Sequence, residues 1–217
     1  NDSKSITFSP DKSYYTHAEC HGTVAYGRCS HAEGNGTKAS GSDSHSEGYG
    51  TVAYGTCSHA EGDGTIASGT SSHAEGYKTT ASGSYSRAEG YSTNQFPSVV
   101  TTTRPTTDDI ITAWKTQKFS VAKGDYSHVE GKDNLALGKD SHVEGKDNLA
   151  LGEDSHAEGA STEASGDHSH TEGANTTASG LCSHAEGNIT TASGTGSHVE
   201  GGSTKASGNY SHAEGLS

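Results

Sequence analysis

A histidine and a glutamate two residues apart can hold a metal ion, share a proton or form an ion pair. This chain repeats that pair along most of its length. The units read SHAEG, with variants THAEC, SHSEG, SRAEG, SHVEG and SHTEG; Glu keeps its place in all thirteen and His in twelve, with Arg87 as the exception. The candidate residues are His31, Glu33, His45, Glu47, His59, Glu61, His73, Glu75, His142, Glu144, His156 and Glu158.

Three kinds of chemistry compete for them. Neutral imidazole is a common metal ligand, and His168 and His170 add an H-x-H. Metal centres, however, use a few ligands in a closed geometry, whereas a dozen identical rungs suggest a structural ladder. We therefore expect no metal and no cofactor. Catalysis fits less well, because H-x-E is not H-E-x-x-H and no helix is expected to present a zincin pair. Cys29, Cys57 and Cys182 each stand two residues before a repeat His, which could suggest a thiol nucleophile. Ser, Asp and other residues fill that place in other units, so tolerated variation is the simpler reading. The chain is expected not to be an enzyme. What remains is adhesion: His and Glu as a repeated contact between chains.

The elements that position the pairs follow from the spacing. Glycine recurs every seven residues from Gly27 to Gly90, with Cys20 one step earlier, and again from Gly124 to Gly215. SHAEG units alternate with twelve units of the form TxASG, with variants such as TVAYG, SVAKG and NLALG, so one of each fills a fourteen-residue turn. Alternate residues of a strand share a face. Ser and Ala of S-H-A-E then point one way and His and Glu the other, while Thr and Ala of T-x-A-S point inward. Glycine permits the tight corners. The pattern predicts an all-β chain: a parallel β-roll, or solenoid, of 14 residues per turn. About twelve turns at ~4.8 Å give a length of roughly 60 Å. Only small side chains fit inside so flat a coil. Val129, Val143, Val199 and Thr171 are the largest replacements at the Ala site. So thin an interior hardly offsets the ordering of its backbone, which predicts self-association.

S-x-A-x-G every seven residues resembles the head repeat of the trimeric autotransporter adhesins, the YadA-like heads. The SHAEGxxTxASG variant is similar to repeats in surface and tail-fibre proteins of Firmicutes and their phages. The likeness covers about 20–90 and 120–215. It implies a left-handed roll with three chains side by side around an axis. The coiled-coil stalk and membrane barrel of an autotransporter are missing from this sequence. In a trimer, the position x of TxASG wanders through Val, Lys, Ile, Thr, Leu and Glu, as a solvated face would. The constant His/Glu face is expected to meet the three-fold axis, with His of one chain bonded to Glu of the next. The competing assignment turns Val52, Ile66, Leu135 and Leu137 toward the axis.

Composition sets the outer limits. Hydrophobic residues make up 28%, Met is absent, the net charge is −13 and the mean hydropathy is −0.77. An ordinary globular core is excluded, and the strict repeat argues for a solenoid over disorder. The acidic balance argues against nucleic acid and against anionic membranes, and no stretch is apolar and long enough to span a bilayer. NDSKSITFSP does not read as a signal peptide. The four cysteines are expected to be free thiols, since Cys29 and Cys57 lie two turns apart, roughly 9.6 Å, beyond disulfide reach. An ice-binding face needs outward Thr rows, and the unit Thr shares the inward parity of Ala.

The beat breaks once. Gly90 to Gly124 is 34 residues where seven were due, so 27 are extra. Residues 98–103 and 110–114 are rich in β-formers and flank Pro105, which predicts a hairpin, or a short strand with a helical turn. Its contact residues would be Phe96, Arg104, Trp114 and Phe119, acting as a clasp on a neighbouring chain or as a binding knob. The near-exact copy KDNLALG at 132–138 and 146–152 looks like repeat expansion, as suits a spacer. The organisation is a cap or connector at 1–16, β-roll at 17–93, insertion at 94–119 and β-roll at 120–217. The expected role is a structural fibre or adhesin segment, outside the cell on a virion fibre or bacterial surface. Its partners would be itself, as a homotrimer or a head-to-tail filament, and a cell-surface receptor or glycan. The alternative is a metal- or pH-responsive assembly built on the His ladder.

Overall fold

The structure, a computed structural model, describes residues 7–8, 15–96 and 106–216. Two thirteen-stranded parallel sheets lie back to back, and every strand but the end ones pairs with its equivalents one turn before and one turn after. One sheet is built from the SHAEG units, with His31 opposite His45 and Glu33 opposite Glu47. The other is built from the TxASG units, with Val52 opposite Ile66. The fold is therefore a parallel β-solenoid of about thirteen turns, one more than the glycine beat indicates. The additional rung is β1 (Thr7–Phe8), which pairs with Val24 and Ala25 although no glycine marks it.

The inward parity is as expected. Ala25, Ala32, Ala53, Ala60, Ala67 and Ala74 have no exposed surface, nor do Val129, Val143 and Val199. Hydroxyls share this interior because the corners supply acceptors. Ser44 Oγ donates to the Gly41 carbonyl at 2.6 Å, and Thr65 Oγ1 to the Glu61 carbonyl at 3.1 Å. At two turns the unit Thr is replaced by Asn. Asn134 and Asn148 are fully buried, and the Asn134 side chain bonds the Glu130 and Gly145 carbonyls while accepting from Asn148 N–H.

Both glycine rows are held by contact with the next turn, and one of them by backbone conformation as well. Those that end the His strands have positive φ, +113° at Gly34 and +107° at Gly48, and a Cβ on Gly48 would lie 2.2 Å from the Gly62 carbonyl oxygen. Those that end the Thr strands have no such φ and are held by contact alone: a Cβ on Gly55 would lie 1.9 Å from the Gly69 carbonyl oxygen. Positive φ explains only half of the beat.

The 27 extra residues leave the register untouched, since Thr80 pairs with Val121 and Arg87 with His128. Here the hairpin expectation is corrected. Residues Thr107–Gln117 form a helix, α1, and the proposed second β arm lies inside it. Thr106 caps it through a reciprocal box with Asp109, and Asp108 and Asp109 load its first turn, favourable at the positive end of the helix dipole. Ile110 and Trp114, four residues apart, form its buried stripe. They pack with Phe96 and Phe119 on Val121, Leu135 and Leu149. The first β arm at 98–103 lies outside the described residues, as does Arg104. Trp114 thus closes on its own chain, where the clasp expectation put it on a neighbour.

Candidate functional site

The SHAEG strands project His and Glu outward from one continuous face. Ring centroids of His45 and His59 stand 4.8 Å apart with planes 2° off parallel, and those of His142 and His156 stand 4.7 Å apart. The row of rings runs from His17 to His73, edge-on at His17–His31 and tilted at His59–His73, stops at Arg87, and runs again, stacked throughout, from His128 to His212. All twelve ladder residues named from the sequence lie on this face. Phe96, Trp114 and Phe119 lie together under α1, on the other sheet.

Within a rung, His Nε2 lies 3.5 Å from a Glu Oε at His31–Glu33, His45–Glu47, His59–Glu61 and His73–Glu75. The separation is 3.8 Å at His156–Glu158 and His184–Glu186. These are close approaches and not hydrogen bonds, and they become ion pairs only where the imidazole is protonated. The Nε2 atoms of nine ladder histidines (31, 45, 59, 73, 142, 156, 170, 184 and 198) are shielded from solvent and have no hydrogen-bond partner. Leaving such atoms unsatisfied is costly.

Stacking also sets the electrostatics. Burial, followed by the charge of adjacent imidazoles, holds His142, His156 and His184 below the ordinary histidine value. Burial, followed by hydrogen bonds with Glu144 and Glu172, pushes Glu158 up. At the exceptional rung the pattern inverts. Arg87 bonds Glu89 and lies 3.9 Å from Glu75, and His128 Nε2 reaches Glu89 at 3.1 Å. These partners hold the Glu89 carboxyl down against its burial.

The H-x-H resolves into two separate rows. His170 is in the ladder, while His168 sits at a positive-φ corner 3.4 Å from Asp154. The four cysteines are free and exposed, with Cys29, Cys57 and Cys182 at equivalent corners. Sequence reasoning missed the lock between α1 and the roll. Trp114 Nε1 donates to the Asp133 carbonyl at 2.9 Å, and Lys118 lies over the indole while bridging Asp147 at 3.2 Å. A cleft of about 220 Å³ opens beside it, lined by Trp114, Lys115, Asp147, Ser161, Thr162 and Glu163 among others. The capping pattern Thr106-x-x-Asp109 was the available signal. No protein-family model matches the chain, and no curated protein matches it.

Proposed function

We propose that the chain is a structural fibre segment that associates with two copies of itself through the His/Glu face and spaces or displays a receptor-binding element. The observation that carries this reading is the contrast between the two broad faces. Among the described residues the His/Glu face runs through thirteen paired strands with no insertion on it, and it is lined by buried imidazole nitrogens without hydrogen-bond partners. The opposite face carries α1, which already covers Val121, Leu135 and Leu149. At those three rungs α1 stands where a second copy would have to lie. Leu135, central to the competing assignment, is spent within its own chain.

The likeness to trimeric adhesin heads supports three copies in a left-handed roll, with His of one chain bonded to Glu of the next. The setting that fits is extracellular, on a virion fibre or bacterial surface, with a receptor or glycan as the displayed element's partner and no enzymatic role. Among the described residues no helix is long and apolar enough to cross a membrane. The cleft beside α1, with its carboxylates, hydroxyls and lysines, is the place on the outer face where a polar ligand would sit. Native mass by light scattering tests the assembly. Three times 22.2 kDa is expected, and a mass of one chain overturns the proposal.

A further inference from the structure

Thirteen glutamates stand in one column, one per rung, and neutral histidines do not balance them. The rung that lacks His shows how balance is reached. Arg87 places a permanent cation between Glu75 and Glu89. Every other rung leaves that position to an imidazole whose Nε2 has no hydrogen-bond partner in nine cases.

The distances suit a cation there. Zn–N and Zn–O bonds near 2.0–2.1 Å with tetrahedral angles separate two donors by about 3.3 Å. The His Nε2 and Glu Oε of one rung are already 3.5 Å apart at four rungs. A third donor is supplied by the next rung. The donor atoms of His45, Glu47 and His59 all lie within 4.8 Å of one another, as do those of His59, Glu61 and His73, of His156, Glu158 and His170, and of His170, Glu172 and His184. Parallel rings 4.8 Å apart must tilt slightly to converge. The side chains are a third or more exposed at His59 and Glu61, so the carboxylate can swing aside to admit an ion.

We propose that the ladder binds divalent transition-metal ions in two runs, one on each side of Arg87, each ion held by the His and Glu of one rung and the His of the next. Two imidazoles and a carboxylate select Zn²⁺, Ni²⁺ or Cu²⁺ over Ca²⁺ or Mg²⁺. This revises the expectation of no metal, which weighed the repetition of the pair but not the empty position beside each Nε2. All donors come from one chain, so the site does not require the trimer; at an occupied rung the ion takes the Nε2 that a neighbouring chain's Glu would otherwise bond.

The test is equilibrium dialysis of the full chain against Zn²⁺ alone, with Co²⁺ as a visible-spectrum stand-in. His59 and His170 are each shared by two of the donor groups. Wild type should take up about two or more ions per chain at ~100 µM free metal near pH 7.5, and His59→Gln/His170→Gln should lose about half of them. Arg87→His should gain uptake, because it joins the two runs. Circular dichroism confirms that each variant keeps its sheets. No uptake by the wild type, full uptake by the double variant (carboxylates acting as bare counter-ion sites), or no gain with Arg87→His would each overturn the proposal. Native mass recorded on the same samples keeps this outcome separate from that of the trimer.

Discussion

Trp114 Nε1 donates to the carbonyl of Asp133 at 2.9 Å, and this bond ties the insertion to the turn that follows it. The indole is 5% exposed and carries Lys118 on its face. Trp114→Ala should cost about 3–5 kcal/mol of local stability. In a solenoid whose rungs contact only their neighbours, that loss stays near 90–150. Limited proteolysis should cut the insertion faster while the sheet signal in circular dichroism persists. Trp114→Phe, which keeps the packing and loses the bond, should cost about 1 kcal/mol.

Glycines on the seven-residue beat and glycines at the corners between strands predict opposite tolerance. Gly55→Ala drives a methyl group into the Gly69 carbonyl and should destabilise the roll by about 3 kcal/mol or more, since a backbone cannot give way as a side chain can. Gly50 has φ +62° with open space around its Cβ position. Lys78, Asp147 and Asn175 hold equivalent corners in other turns, so Gly50→Asn should cost under ~1 kcal/mol. Thermal melts of the two variants check both statements.

Acid should loosen the ladder. His142, His156 and His184 are held below 6.5 by burial and by neighbouring imidazoles, so the unfolded chain takes up protons first. Their contribution to stability is present above about 6.5 and is lost as pH falls toward their folded values. Glu158 is raised above 4.5 and works in the other sense, adding stability only as it becomes protonated at lower pH. In EDTA, the melting temperature should fall between about pH 7.5 and 5.5. His142→Gln/His156→Gln/His184→Gln should flatten that fall. A melting temperature that holds level from about pH 8 to 5 would contradict the assignment.

The thiols give a simple check on the corners. All four cysteines are free and exposed, so a thiol reagent should titrate four per native chain without reductant, and Cys57→Ser should leave the melt unchanged.

Much of this fold was legible because fourteen-residue spacing and small inward residues leave few other solutions. The inward parity of Ala60 and Thr65, the outward parity of His59 and Glu61, and the 27-residue excursion at constant register all follow from it. The helix did not follow, because Ile110, Ile111 and Thr112 are β-branched and favour a strand locally. The capping box at Thr106 and the burial of Ile110 and Trp114 on Leu135 override that preference. The partnerless Nε2 atoms were also hidden, since pair spacing shows neither how rings stack nor what a carboxylate reaches.

The central claim is that the His/Glu face joins copies of the chain. It is tested most directly by placing one cysteine on each face, His31→Cys or Lys38→Cys, in a background with the four native cysteines changed to Ser, and adding a short bifunctional maleimide. The account predicts bands up to three chains for His31→Cys and one chain for Lys38→Cys. Crosslinking through Lys38→Cys and not His31→Cys would contradict it.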